Sequence, residues 1–171
     1  AAQSHVQVSF DVPEFTADPR LGAGLEYVAI QNYVYSHRNP DCSYMYRGKG
    51  IGHGLGPDAD LLMLAVDFRP NPRTVVSLAG AVERHGEGKI GHPWSPAEGA
   101  NRRFLTGTVE KTAKVTLEVE RTLIAPALIA GRLELGVTSN KDHVQGAAYK
   151  YWSAGIGLGI LQAELAGFLP T

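Results

Sequence analysis

The stretch Lys114-Val115-Thr116-Leu117-Glu118-Val119-Glu120 alternates apolar and polar residues with a period of two. Successive side chains of a β-strand point to opposite faces, so the three apolar residues share one face and the threonine and two glutamates share the other. The same pattern recurs in residues 61–69 and 129–137. Strands of this kind suit a sheet with one face in water and the other against a protein core or a lipid bilayer.

Composition limits the classes of protein that the chain can represent. Its 171 residues suffice for a single domain with a full core. The formal net charge is −1, with scattered cations, so nucleic acid is not an expected partner. The single cysteine, Cys42, cannot form an internal disulfide. No apolar run approaches the roughly 18 residues of a membrane-spanning helix, whereas a transmembrane β-barrel stays compatible with the hydropathy.

Turn-forming residues separate the alternating stretches, and helical periodicity is hard to find. We therefore predict an all-β protein, an antiparallel up-and-down β-barrel or barrel segment of about eight strands. Residues 1–171 would form a single β-barrel domain or the C-terminal segment of a larger barrel. The tail at 156–168 is expected to be a strand rather than a helix. The predicted strands cover about 5–12, 22–36, 61–69, 74–85, 103–110, 114–122, 127–138 and 146–158.

The connections between these strands differ in length. Tight turns are predicted at 70–73 and 111–113, and long connections at 37–60 and 86–102. In an up-and-down arrangement the two long connections return to the same end of the sheet, as the long outer loops of outer-membrane barrels do. Several aromatic residues lie near strand ends and suit either an interfacial belt or a soluble core: Tyr33, Tyr35, Phe68, Trp94, Phe104, Tyr149, Tyr151 and Trp152.

The glycine-rich segment 44–60 is the first candidate for a binding site. It lacks the strand, turn and helix context of a phosphate-binding loop, and its His and Asp spacing matches no EF-hand or zinc pattern. Gly-Pro-Asp clusters more often make turns in which an aspartate accepts hydrogen bonds from nearby amides, and we favour that interpretation over metal binding. No cofactor or metal is predicted.

The second candidate segment, 84–94, brings histidines, a carboxylate and a lysine together. Acid–base chemistry, as in a hydrolase or lyase, would require the side chains of His85, His92 and Glu87 to meet in a cleft. The sequence also contains no recognisable nucleophile with an adjacent base. We therefore do not expect an enzyme. Aromatic, charged and imidazole side chains on both segments suit sugar binding, and the predicted ligand-binding residues are Tyr44, Tyr46, Arg47, His53, Asp58, Asp60, Arg84, His85, Glu87, His92 and Trp94.

The stretch Gly50-Ile51-Gly52-His53-Gly54-Leu55-Gly56-Pro57-Asp58-Ala59-Asp60, followed by the strand at 61–69 and by Arg84-His85-Gly86-Glu87-Gly88, resembles the C-terminal part of the capsule assembly Wzi family. The resemblance implies an outer-membrane β-barrel of bacteria that associates with capsular or related exopolysaccharide as a non-catalytic lectin. Family members are much longer than this chain. Outer-membrane lipid, surface polysaccharide and the remainder of a longer barrel are the partners that the resemblance implies.

A soluble eight-stranded β-barrel that carries a small apolar ligand is the alternative. The two hypotheses demand opposite orientations of the same strands. A soluble carrier would point Val115, Leu117 and Leu133 inward, whereas a membrane barrel would point them to lipid and turn Glu118 and Glu134 inward.

Overall fold

The computed structural model describes most of the strands and the connections at one end of the sheet. The residues that it describes are 5–12, 18–34, 45–46, 49–50, 53–90, 104–124 and 127–160. Its strands are β1 (His5–Val12), β2 (Leu21–Ile30), β3 (Met45–Tyr46), β4 (Lys49–Gly50), β5 (Ala59–Asn71), β6 (Thr74–His85), β7 (Glu110–Ile124), β8 (Ala127–Ser139) and β9 (Ala148–Ile160), with one 3-10 turn at Lys141–His143.

The protein is all-β, as predicted. Among the described residues, seven strands form one sheet in the order β1-β2-β5-β6-β7-β8-β9, and β3 pairs with β4. Every neighbouring pair is antiparallel, so the sheet runs up and down. Within the described part of the chain the sheet is open, because β1 and β9 do not pair with each other, and its seven strands fall short of the predicted eight.

Three local predictions are wrong. The strand predicted at 22–36 ends at Ile30, and residues 32–34 form a turn. Residues 104–109 form a loop rather than the predicted strand at 103–110, and Leu105 there has a φ of 60°. The segment 111–113 lies inside β7, whereas the tight connection follows Ile124, which pairs with Ala127. The predicted turn at 70–73 is confirmed, and the amide of Arg73 donates to Asn71 Oδ1 at 3.0 Å across it.

The two faces of the sheet differ in composition and in exposure. We call the face that carries Leu117 the apolar face and the face that carries Glu134 the polar face. The leucines and valines of the apolar face are widely exposed; Leu64 and Leu135 are 53% and 52% exposed. The polar face is the more enclosed side, and the side chain of Glu134 is only 18% exposed. The sheet is therefore inverted relative to a soluble β-sandwich, whose apolar face is the enclosed one.

A small core lies at one end of the polar face. Val28 and Ile30 of β2 are completely buried there. Partly buried apolar side chains from other elements pack against them: Val34, Leu55, Leu61 and Ile90. These contacts fix the connections that follow β2 and β6 against the end of the sheet.

Candidate functional site

Three connections meet at the end of the sheet that carries this small core, which we call the loop end. They join β2 to β5, β6 to β7, and β8 to β9. The first two contain the long segments 37–60 and 86–102, and hydrogen bonds that the Asp58 carboxylate accepts from the amides of Gly88 and Leu105 join them. The prediction that both lie at the same end is confirmed for their described residues.

Asp58 is the centre of these contacts. Its side chain is fully buried, and its carboxylate accepts hydrogen bonds from the backbone amides of Gly88 at 3.0 Å, Leu105 at 2.9 Å and Thr106 at 3.0 Å. The Thr106 hydroxyl donates to the same carboxylate at 2.5 Å. Hydrogen bonding to the charged form is what makes burial of a carboxylate tolerable. Asp58 therefore joins loops that lie far apart in the sequence.

The glycine at position 86 is explained by this contact. A Cβ atom built on Gly86 would lie 2.1 Å from Asp58 Oδ2. The Gly86 amide also donates to the backbone oxygen of Asp58 at 2.8 Å. Only a residue without a side chain permits this approach of backbone to carboxylate.

Glu87 and the third connection complete the loop end. The Glu87 amide donates to the Thr106 oxygen, and its carboxylate accepts from the Thr108 amide, both at 2.9 Å. From the connection between β8 and β9, His143 Nδ1 donates to the Thr108 oxygen at 2.7 Å. The Asp142 amide donates to the Glu110 carboxylate at 2.6 Å. All three connections thus form one hydrogen-bonded unit.

A cleft of ≈ 550 Å³ opens between these connections. Its lining combines an aromatic ring, an amide, a cation, carboxylates and an imidazole, which are the groups that hydrogen-bond or stack on a sugar. Of the predicted ligand-binding residues that the structure describes, only Glu87 belongs to it. The lining residues are Asn32, Tyr33, Glu87, Gly88, Lys89, Thr106, Asp142 and His143.

Asp60 and Arg84 lie elsewhere, on the apolar face. They are paired through the Arg84 Nε and a second guanidinium nitrogen, the first at 2.9 Å from Asp60 Oδ1. The Tyr27 hydroxyl lies 3.5 Å from the same carboxylate. The pair occupies the loop-end margin of the apolar face, so these two side chains do not join the cleft.

His85 points to the polar face and pairs with Glu83, with 2.5 Å between the ring nitrogen and the carboxylate. It lines a second cleft of ≈ 510 Å³ at the loop end, together with Lys89, Glu110 and His143. His53 Nδ1 accepts from the Leu55 amide at 3.2 Å. Tyr46 belongs to β3. The remaining predicted ligand-binding residues, Tyr44, Arg47, His92 and Trp94, lie outside the described residues.

Four of the cleft residues were not predicted as ligand-binding residues from the sequence: Tyr33, Lys89, Asp142 and His143. The location of Asp142 and His143 could have been predicted, because strand alternation also returns the connection between β8 and β9 to the loop end. The aromatic-belt interpretation was wrong for Tyr149 and Tyr151. Their register partners, Thr138 and Gly136, lie on the polar face.

Charged residues of the polar face interact across strands. Arg132 lies 2.9 Å from Glu134 and 3.7 Å from Glu118 of the neighbouring strand. The Thr116 hydroxyl donates to Glu134 at 3.3 Å. The ring of Tyr151 covers Gly136, since a Cβ built there would lie 2.3 Å from the ring. This face is a connected polar surface.

Comparisons with protein-family models, curated proteins and solved structures find no match to this chain. The resemblance to the Wzi family stays a prediction. Within the described part of the chain, no helix has the length and hydropathy needed to cross a membrane. No three His, Cys, Asp or Glu side chains of the described residues are grouped so that they could hold a metal ion.

Proposed function

We propose that this chain forms part of the wall of a β-barrel in the bacterial outer membrane. Its apolar face would contact lipid, and its polar face would line a water-filled lumen. The observation that carries the proposal is the inverted exposure of the sheet: leucines and valines are about half exposed on one side, whereas Glu134 and Thr138 on the other side are 18% and 7% exposed. A lipid-facing surface of a transmembrane barrel has this composition, with polar residues inside.

The dimensions of the apolar face support the proposal. Four successive, mainly apolar rows cross the sheet, from the row of Tyr27 and Leu62, which ends at Lys150 in β9, to the row of Leu21 and Phe68. These rows span about 20 Å along the strands, close to the apolar band of about 25 Å that outer-membrane barrels present. The strands β2 and β5 to β9 contain 10 to 15 residues. That length suffices for tilted strands that cross a bilayer.

The loop end would face the outside of the cell, since barrels of this class carry their longer loops there. We propose that this rim associates with capsular or related exopolysaccharide as a non-catalytic lectin, in the manner that the Wzi resemblance implies. The cleft lined by Tyr33, Lys89 and Asp142 supports the proposal through its chemistry.

The soluble-carrier alternative needs the opposite arrangement. It would enclose Leu117, Leu133 and Leu135 around a ligand, yet these side chains are 39%, 40% and 52% exposed. No observation favours it over the membrane hypothesis.

Spin labels on two adjacent residues of β7 test the membrane proposal. We would replace Cys42 by serine, introduce Leu117→Cys or Thr116→Cys, attach a nitroxide and reconstitute the protein in phosphatidylcholine vesicles. The Leu117 label should relax strongly with oxygen and weakly with a water-soluble nickel complex, because oxygen concentrates in lipid. The Thr116 label should show the reverse. A Leu117 label shielded from both reagents would point to a closed apolar core and refute the proposal.

The glycan proposal is tested separately. Tyr46→Ala combined with Trp94→Ala should reduce retention of purified capsular polysaccharide by vesicles that carry the protein, because two aromatic side chains that are predicted to stack on sugars are lost. Tyr149→Ala combined with Trp152→Ala removes the same two residue types from the strand β9 and should leave retention unchanged. Equal retention by the Tyr46 and Trp94 variant and the wild type would reject these residues as the glycan contact.

A further inference from the structure

The loop-end margin of the apolar face carries cations. Lys111 of β7 is in register with Arg84 of β6, and both project to the apolar face. Lys150 of β9 is in register with Val137 on the same face, one row nearer the middle of the sheet. All three cations are exposed. Among the described residues, the carboxylate at this margin is Asp60, which pairs with Arg84 and leaves both lysines without an ion-pair partner.

A shallow apolar groove lies directly below these lysines. It has a volume of ≈ 600 Å³ and follows the centre of the sheet where Gly80 and Ala113 leave space between larger side chains. Lys150 itself forms part of its lining, so the groove and the cations are continuous. The apolar side chains that border it are Val82, Val115, Leu135 and Val137.

We infer that this margin binds an anionic lipid, with the lipid phosphate on Lys111 and Lys150 and the first part of an acyl chain in the groove. The inference rests on the proposed function, because it requires the apolar face to lie in a bilayer. Charge complementarity selects the head group, since a phosphate accepts charge-assisted hydrogen bonds from ammonium groups. The adjacent apolar groove favours a lipid over free phosphate, because only the lipid has an acyl chain that can fill it.

The spacing of the lysines fits one head group. Two strand spacings and one row separate Lys111 from Lys150, or about 12 Å between Cα atoms. Each ammonium group reaches about 6 Å from its Cα on a flexible four-carbon stem. Both can therefore contact a phosphate located over β8.

Trp152 supplies a reporter beside the groove. It is in register with Leu135 on the apolar face and is 72% exposed. The chain contains two tryptophans, so Trp94→Phe leaves Trp152 as the single fluorophore. Bromine atoms on lipid chains quench tryptophan by contact, and the degree of quenching reports which lipid occupies the adjacent site.

The experiment compares brominated phosphatidylglycerol with brominated phosphatidylcholine in vesicles that contain the Trp94→Phe protein. We expect Trp152 to prefer phosphatidylglycerol by roughly threefold to fivefold, the effect of about one lysine near a membrane surface. Lys111→Gln with Lys150→Gln should lower the preference to about one, and arginine at both positions should restore it. Higher salt should also reduce the preference, because exposed charges are screened.

Lys89→Gln with Lys141→Gln is the matched control. Lys89 lies in the connection after β6, Lys141 lies over the ring of Tyr149, and neither lines the groove. This variant removes the same charge and should keep the preference. If it loses as much preference as the Lys111 and Lys150 variant, net charge explains the effect and the site is overturned.

The remaining outcomes separate this inference from the proposed function. Equal quenching of Trp152 by both brominated lipids would leave the membrane proposal standing and overturn the lipid site. No quenching by either lipid would mean that the apolar face does not contact the bilayer, and both proposals would fall.

Discussion

The apolar face and the loop end reverse the usual relation between polarity and burial. Leu64 and Leu135 expose about half of their side chains, whereas the charged side chain of Asp58 is completely buried. The carboxylate is enclosed because four hydrogen-bond donors of distant loops surround it. The leucines have no comparable partner among the described residues. Hydrogen bonds within the chain therefore hold the loop end together, whereas the described residues supply no apolar cover for the apolar face of the sheet.

The largest effect is expected from a charge on the apolar face. Leu133→Arg should lower the free energy of unfolding in phosphatidylcholine vesicles by about 2–4 kcal/mol if the residue lies near the middle of the bilayer. Thr116→Arg places the same side chain on the polar face, opposite Glu134, and should cost much less. Urea titrations of both variants measure the difference. Equal losses in the free energy of unfolding would contradict the proposed difference between the faces, because both faces would then share one environment.

Removing the charge of Asp58 tests the loop end. Asp58→Asn keeps the shape but presents an amide group to donors of Gly88, Leu105 and Thr106, so we expect a loss of about 2 kcal/mol. The loss should be concentrated at the loop end, with faster hydrogen exchange at those three amides and little change in the middle of β7. The control is Asp67→Asn, at a half-buried position on the polar face. Uniformly faster exchange throughout the sheet would show that Asp58 does not act locally.

Alanine substitutions at two glycines of β8 test how much space each face leaves for one methyl group. Gly136→Ala on the polar face would collide with the Tyr151 ring and should cost about 1–3 kcal/mol, the usual range for overpacking. A Cβ on Gly131, on the apolar face, meets nothing within 4 Å, so Gly131→Ala should be nearly neutral. Unfolding titrations decide, and an equal cost at both sites would contradict the enclosed character of the polar face.

The smallest effect concerns an ion pair at the opposite end of the sheet, before β2. A hydrogen bond from the Arg20 side chain lowers the pKa of Asp18 from 3.8 to about 2. A lowered pKa stabilises the folded state above pH 3.8, and this contribution disappears as the pH falls through about 2. A carboxyl NMR titration should give this value, and Arg20→Gln should return the pKa towards 3.8. An unchanged pKa in the variant would exclude Arg20 as the cause.

Alternation in the sequence predicted the sheet well because it records which side of a strand meets a different environment. Strand β6 has the predicted bounds, β5 extends the predicted segment by two residues at each end, and β8 extends it by one residue at its C-terminal end. The prediction of a strand at 103–110 was wrong because the local sequence pattern does not record contacts with residues that are distant in the sequence. Leu105 and Thr106 turn their amides to Asp58, a residue 47 and 48 positions earlier.

The candidate site was harder to predict than the sheet. Side-chain chemistry alone grouped Asp58, Asp60 and Arg84 as ligand-binding residues, but the strand register places Asp60 and Arg84 on the apolar face. The tyrosines of β9 show the same limit. Proximity to a strand end does not say which face a ring occupies, whereas the pairing of Tyr151 with Gly136 does.

The long sequence separation of the Asp58 contacts has a consequence for the order of folding. The pairings of β5 with β6 and of β7 with β8 each join strands that are adjacent in the sequence, and such hairpins close quickly. Contacts between Asp58 and Thr106 close a much longer loop, at a greater entropic cost. We therefore expect the rim to form after the hairpins. Substitutions at Asp58 should accelerate unfolding more than they slow folding.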